Sequence, residues 1–211
     1  MNRVRQLVHA DKVYRMGYTG KNIRVVALDT GVYLHPDIRG NVKLFLDFIA
    51  GKTICYDDNG HGTHVAGIIC GNGRLKGIAP QSQLIMLKVL EKDGGGKTKN
   101  VIRGLEWVIQ HHREQRIRIL NFSVGFLPGA HSEEQRKILE MLEQLWDEGV
   151  TVVTAAGNNG PKEGTVTAPG ISRKVITVGA SDDGMKSAFF QSGYSGKGPT
   201  ECCIIKPEIY A

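Results

Sequence analysis

Two histidines open an apolar run in the stretch Gly60-His61-Gly62-Thr63-His64-Val65-Ala66-Gly67, and imidazoles this close can bind a metal, move a proton or simply pack. Zinc sites of the His-Glu-x-x-His kind set their ligands at i and i+4 with a glutamate base between them; here the spacing is i and i+3 and no glutamate intervenes, which speaks against a metal. A distant carboxylate favours proton transfer. Asp29 ends the apolar phrase Val25-Val26-Ala27-Leu28-Asp29-Thr30-Gly31, where a carboxylate is costly unless it is paired or solvated. A histidine on the first turn of a neighbouring helix, with Gly60 and Gly62 allowing close backbone approach, could pair with it. In such a pair Asp29 orients the ring and His61 transfers the proton, which is the logic of nucleophilic hydrolysis. A third segment, Val152-Val153-Thr154-Ala155-Ala156-Gly157-Asn158-Asn159-Gly160, brings an amide out of a strand into a glycine-rich turn. By itself it reads as a loop. In company with Asp29 and His61, the Asn158 side chain reads as a donor to a developing oxyanion.

The elements that must position these groups alternate between β-branched runs and helical patterns. Strands are expected at Ile23 to Leu28, Leu84 to Leu90, Ile117 to Phe122, Val150 to Ala155 and Val175 to Val178. One helix begins at the His61 stretch and another near Thr98, running through Val101, Leu105, Val108 and Ile109. A third follows the capping box Ser132-Glu133-Glu134-Gln135, carries Ile138, Leu139, Leu142, Leu145 and Trp146, and stops at Gly149. The expected fold class is α/β, a three-layer, mostly parallel, doubly wound sheet with helices on both faces. The loops at the strands' carboxyl ends should gather Asp29-Thr30-Gly31, Gly94-Gly95-Gly96, Ser123-Val124-Gly125 and Gly157-Asn158-Asn159-Gly160 along one edge.

A chain of 211 residues suits a single domain, which at this size buries roughly 70% of the extended chain's surface. Its net charge of +6 is scattered, and no aromatic RNA-binding motif or zinc-finger spacing accompanies it, so nucleic acid is not an expected partner. Four cysteines without CxxC spacing suit a reducing compartment. No segment has signal-peptide character or transmembrane length, so the expected location is the cytosol and no membrane partner is expected.

The phrases DTGV at 29 to 32, HGTHVAG at 61 to 67, SVG at 123 to 125 and AAGN at 155 to 158 resemble the subtilisin-like serine proteases in wording, order and spacing. The weaker phrase Gly17-Tyr18-Thr19-Gly20-Lys21 agrees, and the likeness covers essentially the whole chain. It implies that Asp29 orients the imidazole, that His61 is general base and later acid, and that Asn158 completes the oxyanion hole, with His64 structural. It further implies that Gly95, Ser123, Val124 and Gly125 flank an extended peptide or protein substrate, that Ala156 and Gly157 wall its first specificity pocket, and that Thr167 lies near the pocket base. No cofactor is needed for the chemistry. A structural calcium is known in secreted relatives and Asp37 resembles one of its ligands, but the stretch between Gly67 and Gly77 is short, with two cations and no carboxylate.

The same likeness sets the nucleophile in a Gly-Thr-Ser-x-Ala phrase that this sequence does not contain. Ser123 and Ser195 are poor substitutes, the first belonging to a substrate strand and the second to a loop. Residues 1–211 are therefore read as one catalytic domain truncated on its C-terminal side, inactive alone, with the missing piece as a further partner. The phrases Tyr56-Asp57-Asp58-Asn59-Gly60 and Lys174-Val175-Ile176-Thr177-Val178-Gly179-Ala180 lean toward the intracellular bacterial branch. Two rival readings remain. Gly94-Gly95-Gly96-Lys97-Thr98 invites a phosphate loop, but Glu91 replaces its first glycine. A pseudoprotease that binds peptides without a nucleophile is the other.

Overall fold

Alternation along one strand decides which face of the sheet carries the chemistry. In β1 (Arg24–Asp29), Val25 and Ala27 join a buried cluster with Ala66 and Cys70 of α3 (His61–Cys70) and with Leu84 and Met86 of β3 (Gln83–Lys88). Successive side chains alternate between faces, so Leu28 turns to the other side. There it meets α4 (Thr98–His111) at Gly104, where an added Cβ would lie 3.3 Å from the Leu28 side chain. Asp29, two residues after Ala27, therefore falls on the α3 face.

The computed structural model describes residues 2–126, 132–180 and 193–211. The chain divides into two compact units, Met1–Asn121 and Phe122–Ala211. The first holds α1 (Asn2–Leu7), α2 (Ala10–Arg15), β1, β2 (Val42–Asp47), α3, β3, α4 and β4 (Ile117–Phe122), whose last residue begins the second unit. Its strands run in the order β2-β3-β1-β4. The β1–β3 and β2–β3 pairings are parallel, with Asp29 and Asp47 both in register with Lys88. The second unit holds α5 (Glu133–Asp147), β5 (Thr151–Ala155), β6 (Ile176–Gly179) and β7 (Ile209–Tyr210), with β5-β6-β7 again parallel. The fold is α/β, with helices on both faces of the first unit's strands. No helix among the described residues is long and apolar enough to cross a membrane.

All five expected strands and all three expected helices are present, with ends shifted by no more than two residues. Helix α5 begins as its sequence predicts: the Ser132 hydroxyl accepts from Gln135 N at 3.2 Å, and Glu133 and Glu134 occupy the positive end of the helix dipole. It ends at Gly149, whose φ of +87° lets Val150 N reach Leu145 O at 2.9 Å. Its buried stripe is Ile138, Met141, Leu142 and Leu145; Trp146 sits on the rim. Four elements were not expected: α1, α2, β2 and β7.

Candidate active site

The site is assembled where β1 ends and α3 begins. Asp29 is fully buried, and its Oδ1 lies 2.7 Å from His61 Nδ1 while also accepting Thr30 N at 2.7 Å. Asp29 Oδ2 is buried without a hydrogen-bond partner among the described residues. The His61 ring is half exposed, so one nitrogen faces the carboxylate while the ring keeps access to solvent. The hydrogen bond with Asp29 raises the His61 pKa; burial opposes this, and the charges of Asp29 and Asp57 add to it.

Two glycines make the contact feasible. Gly31, at φ +121°, carries the chain away from β1 so tightly that a Cβ there would collide with Tyr56 O. Gly62 presses against the same turn: a Cβ would collide with Gly31 O and lie 3.1 Å from Asp29 Oδ1. Gly62 N instead donates to the Thr30 hydroxyl at 2.9 Å. The first turn of α3 thus reaches the end of β1 because neither backbone carries a side chain there.

Asp57 fixes the start of α3. Its carboxylate accepts from Gly60 N at 2.8 Å, Thr63 N at 2.9 Å, Asn59 N at 3.1 Å, the Thr63 hydroxyl at 2.5 Å and the Thr30 hydroxyl at 2.9 Å. Burial alone would push this carboxyl up, but the Thr63 hydroxyl and the three backbone N–H groups outweigh it and bring it down to about 2. A depressed carboxyl stabilises the fold above its ordinary value of 3.8, and the contribution is lost as pH falls through about 2. Discounted for its partial exposure, that contribution is about 1 kcal/mol. Asp57→Asn in the intact protein is expected to lose about that much in urea denaturation at pH 7, with the gap closing below the ordinary carboxyl range. An equal gap at both pH values would show that charge is not the cause.

His64, one turn further along α3, is exposed and lines a cavity of about 350 Å³ with Tyr33, Ile38, Ile68 and Leu75. In the loop after β3, Glu91 N donates to Gly95 O at 2.7 Å and Gly95 N to Asp93 Oδ1 at 2.9 Å. Amides spent in this way, beside two carboxylates, do not form a phosphate cradle. Asp37 is likewise occupied: its oxygens accept Leu75 N at 2.9 Å and Arg74 N at 3.2 Å, and its own carbonyl accepts Asn72 N at 2.7 Å. The Leu75 N–H holds its pKa below the ordinary value against burial, with Arg74 N, His35 and Arg74 adding to the effect. Backbone donors thus reach both of its oxygens, and Arg74 and Lys76 lie in the same loop.

In the second unit, Gly125 and Gly157 both press on Thr167. A Cβ on Gly125 would lie 3.2 Å from the Thr167 hydroxyl, and one on Gly157, at φ +88°, would lie 2.7 Å from its methyl. Thr167 N is held by Ala156 O at 3.1 Å, and Ala156 is itself buried. Ser123 and Val124 lead from β4 toward Gly125, and Asn158 is exposed just past β5. Ser195 is buried, its hydroxyl accepting Ala180 N at 3.1 Å.

A family model described as the subtilase family matches residues 20–211, which includes every strand and both members of the Asp29–His61 pair. The chain belongs to the subtilase family. Among curated relatives of this subtilase, Serine protease AprX of Bacillus subtilis (strain 168) is 40% identical over 217 residues, a match covering 96% of this chain and 49% of AprX. Subtilisin DY of Bacillus licheniformis is 34% identical over 192 residues, covering 88% of this chain and 66% of that protein. Among solved structures, Sphericase superposes with a TM-score of 0.76 at 29% identity, covering 92% of this chain and 66% of that one. This subtilase sequence thus spans about half the length of AprX.

Three residues of this subtilase site were missed in the sequence. Asp57 stands in a phrase whose only sequence signal is its family likeness, and Thr30 reads as one of the small residues just past a strand. Lys88 had a legible signal, being the one cation within the run from Leu84 to Leu90.

Proposed function

We propose that the intact protein is a serine endopeptidase that hydrolyses peptide bonds in extended peptide or protein substrates. The observation carrying this reading is the 2.7 Å contact between Asp29 Oδ1 and His61 Nδ1. It occupies one ring nitrogen and leaves the other to take a proton from a nucleophile and return it to the leaving amine. Asp29 orients the ring, His61 is base and then acid, and Asn158 donates to the oxyanion. Gly95, Ser123, Val124 and Gly125 flank the substrate, and Ala156 and Gly157 wall the pocket for the residue before the scissile bond. No cofactor takes part. The nucleophile is assigned to a Gly-Thr-Ser-x-Ala phrase outside the 211 residues, with residues 1–211 forming part of one catalytic domain. Cys55, Cys70, Cys202 and Cys203 are all free thiols, which supports a cytoplasmic setting.

The test compares two polypeptides on a fluorogenic peptide. The 211-residue chain is expected to give no turnover, while the intact protein hydrolyses the peptide and is inactivated by an organophosphorus reagent that labels one serine. If the intact protein binds peptides but neither hydrolyses them nor takes up the label, the pseudoprotease reading replaces this one. Turnover by the 211-residue chain that His61→Ala abolishes would overturn the placement of the nucleophile.

A further inference from the structure

Lys88 is a buried cation for which the proton-transfer scheme above has no use. Its side chain is 1% exposed, yet it occupies the row of the α3 face that Leu84 and Met86 fill with apolar groups. Its ammonium donates to the carbonyl of Thr30 at 2.6 Å, to the carbonyl of Leu90 at 3.0 Å and to Asp58 Oδ1 at 2.7 Å, using all three of its protons. It also lies 4.9 Å from the centre of the Tyr56 ring.

These partners belong to three separate segments of the first unit. Thr30 follows Asp29 out of β1, Leu90 follows β3, and Asp58 lies in the loop that leads into His61 and α3. The register adds a second line of argument: Lys88 is paired with Asp29 on one side and with Asp47 on the other. Asp47 is engaged by other donors, accepting Ile49 N at 2.8 Å, Ala50 N, Lys52 N and the Tyr56 hydroxyl at 2.9 Å. The ammonium therefore faces the loops around the Asp29–His61 pair rather than the edge of the sheet. A buried ammonium seldom stabilises a fold better than an apolar side chain of the same volume, so a lysine in line with Leu84 and Met86 points to a use other than stability.

We propose that Lys88 is a positioning residue, tying the segments after β1, after β3 and before α3 to one ammonium so that His61 meets Asp29 in line. Lys88 touches neither substrate nor reacting atoms; it acts through the Thr30 carbonyl and Asp58. The kinetic readout of this proposal rests on the peptidase reading above, whereas the spectroscopic readout rests on the Asp29–His61 contact alone. The charged and titratable groups facing this cluster are Asp29 and Asp57 toward His61, and Asp58, Tyr56 and the in-register Asp29 and Asp47 around Lys88.

The experiment compares the intact protein with Lys88→Met, which keeps the length of the stem, and with Asp58→Asn, which neutralises only the partly exposed partner. For Lys88→Met, kcat is expected to fall about 10- to 100-fold with KM little changed, the cost of a misplaced catalytic group. The downfield Nδ1 proton of His61 should disappear from the proton NMR spectrum, and the imidazole titration should move to lower pH. Asp58→Asn should show the same changes in smaller degree. A folded Lys88→Met protein that keeps the resonance and the parent titration overturns the proposal, as does a titration that moves upward. Should Lys88→Met fail to fold, Asp58→Asn decides by the same two readouts, and parent behaviour there overturns it. If the intact protein cleaves no peptide, the peptidase reading fails and the NMR comparison still decides the role of Lys88.

Discussion

His61→Ala in the intact protein is expected to lower kcat by about six powers of ten, the size of the loss that subtilisin itself suffers when its base is removed. KM should stay close to the parent value, because the ring moves a proton and does not hold the substrate. The half-exposed ring has one nitrogen committed to Asp29 at 2.7 Å, and alanine leaves no imidazole to accept the nucleophile's proton. Thermal unfolding should change little. Initial rates on a peptide substrate, normalised to the concentration of folded protein, make the measurement. A variant within about 100-fold of the parent would remove His61 from the reaction, since a positioned general base contributes about two to four powers of ten.

Asp29→Asn should cost about four powers of ten in kcat with the backbone around the site unaltered. The amide keeps the shape of the carboxylate within a fully buried position but not its charge, and it no longer fixes which ring nitrogen holds the proton. His61 has a raised pKa, chiefly through its hydrogen bond with Asp29, and only the neutral ring can act as base. Activity of the parent therefore falls as pH drops through that raised value. Asp29→Asn removes the principal cause, so the acid limb of kcat/KM should move to lower pH. A limb that stays in place while kcat falls would mean that Asp29 governs the rate by some means other than the imidazole.

The Asp29–His61 pairing was legible because each residue was anomalous locally. A carboxylate ends an otherwise apolar strand, and an imidazole opens a helix between two glycines. The strands flanking them were legible as short apolar runs, since burial on both faces removes polar positions. Strand β2 was not, because Phe45 and Leu46 are apolar in succession and the register shifts between Val42 and Leu44, which spoils the alternation. Strand β7 has two residues, too few for any period. The roles of Asp57 and Lys88 were hidden for a different reason. Each acts through partners scattered along the chain, Asp57 on Thr30 and Thr63, Lys88 on Thr30, Asp58 and Leu90. The sequence exposes the oddity of a lysine among Leu84, Ile85, Met86 and Leu87 but not the direction in which its ammonium reaches.

That one row of β3 carries Leu84, Met86 and Lys88 also bears on how errors in chain assembly are weeded out. A slip of one residue in the pairing of β3 would turn the lysine toward α4, away from Thr30 and Asp58, and strand an ammonium in oil. Such a trapped conformer would be too unstable to accumulate, so the lysine that ties these loops in the finished fold also discards the wrong alignment before that fold is complete.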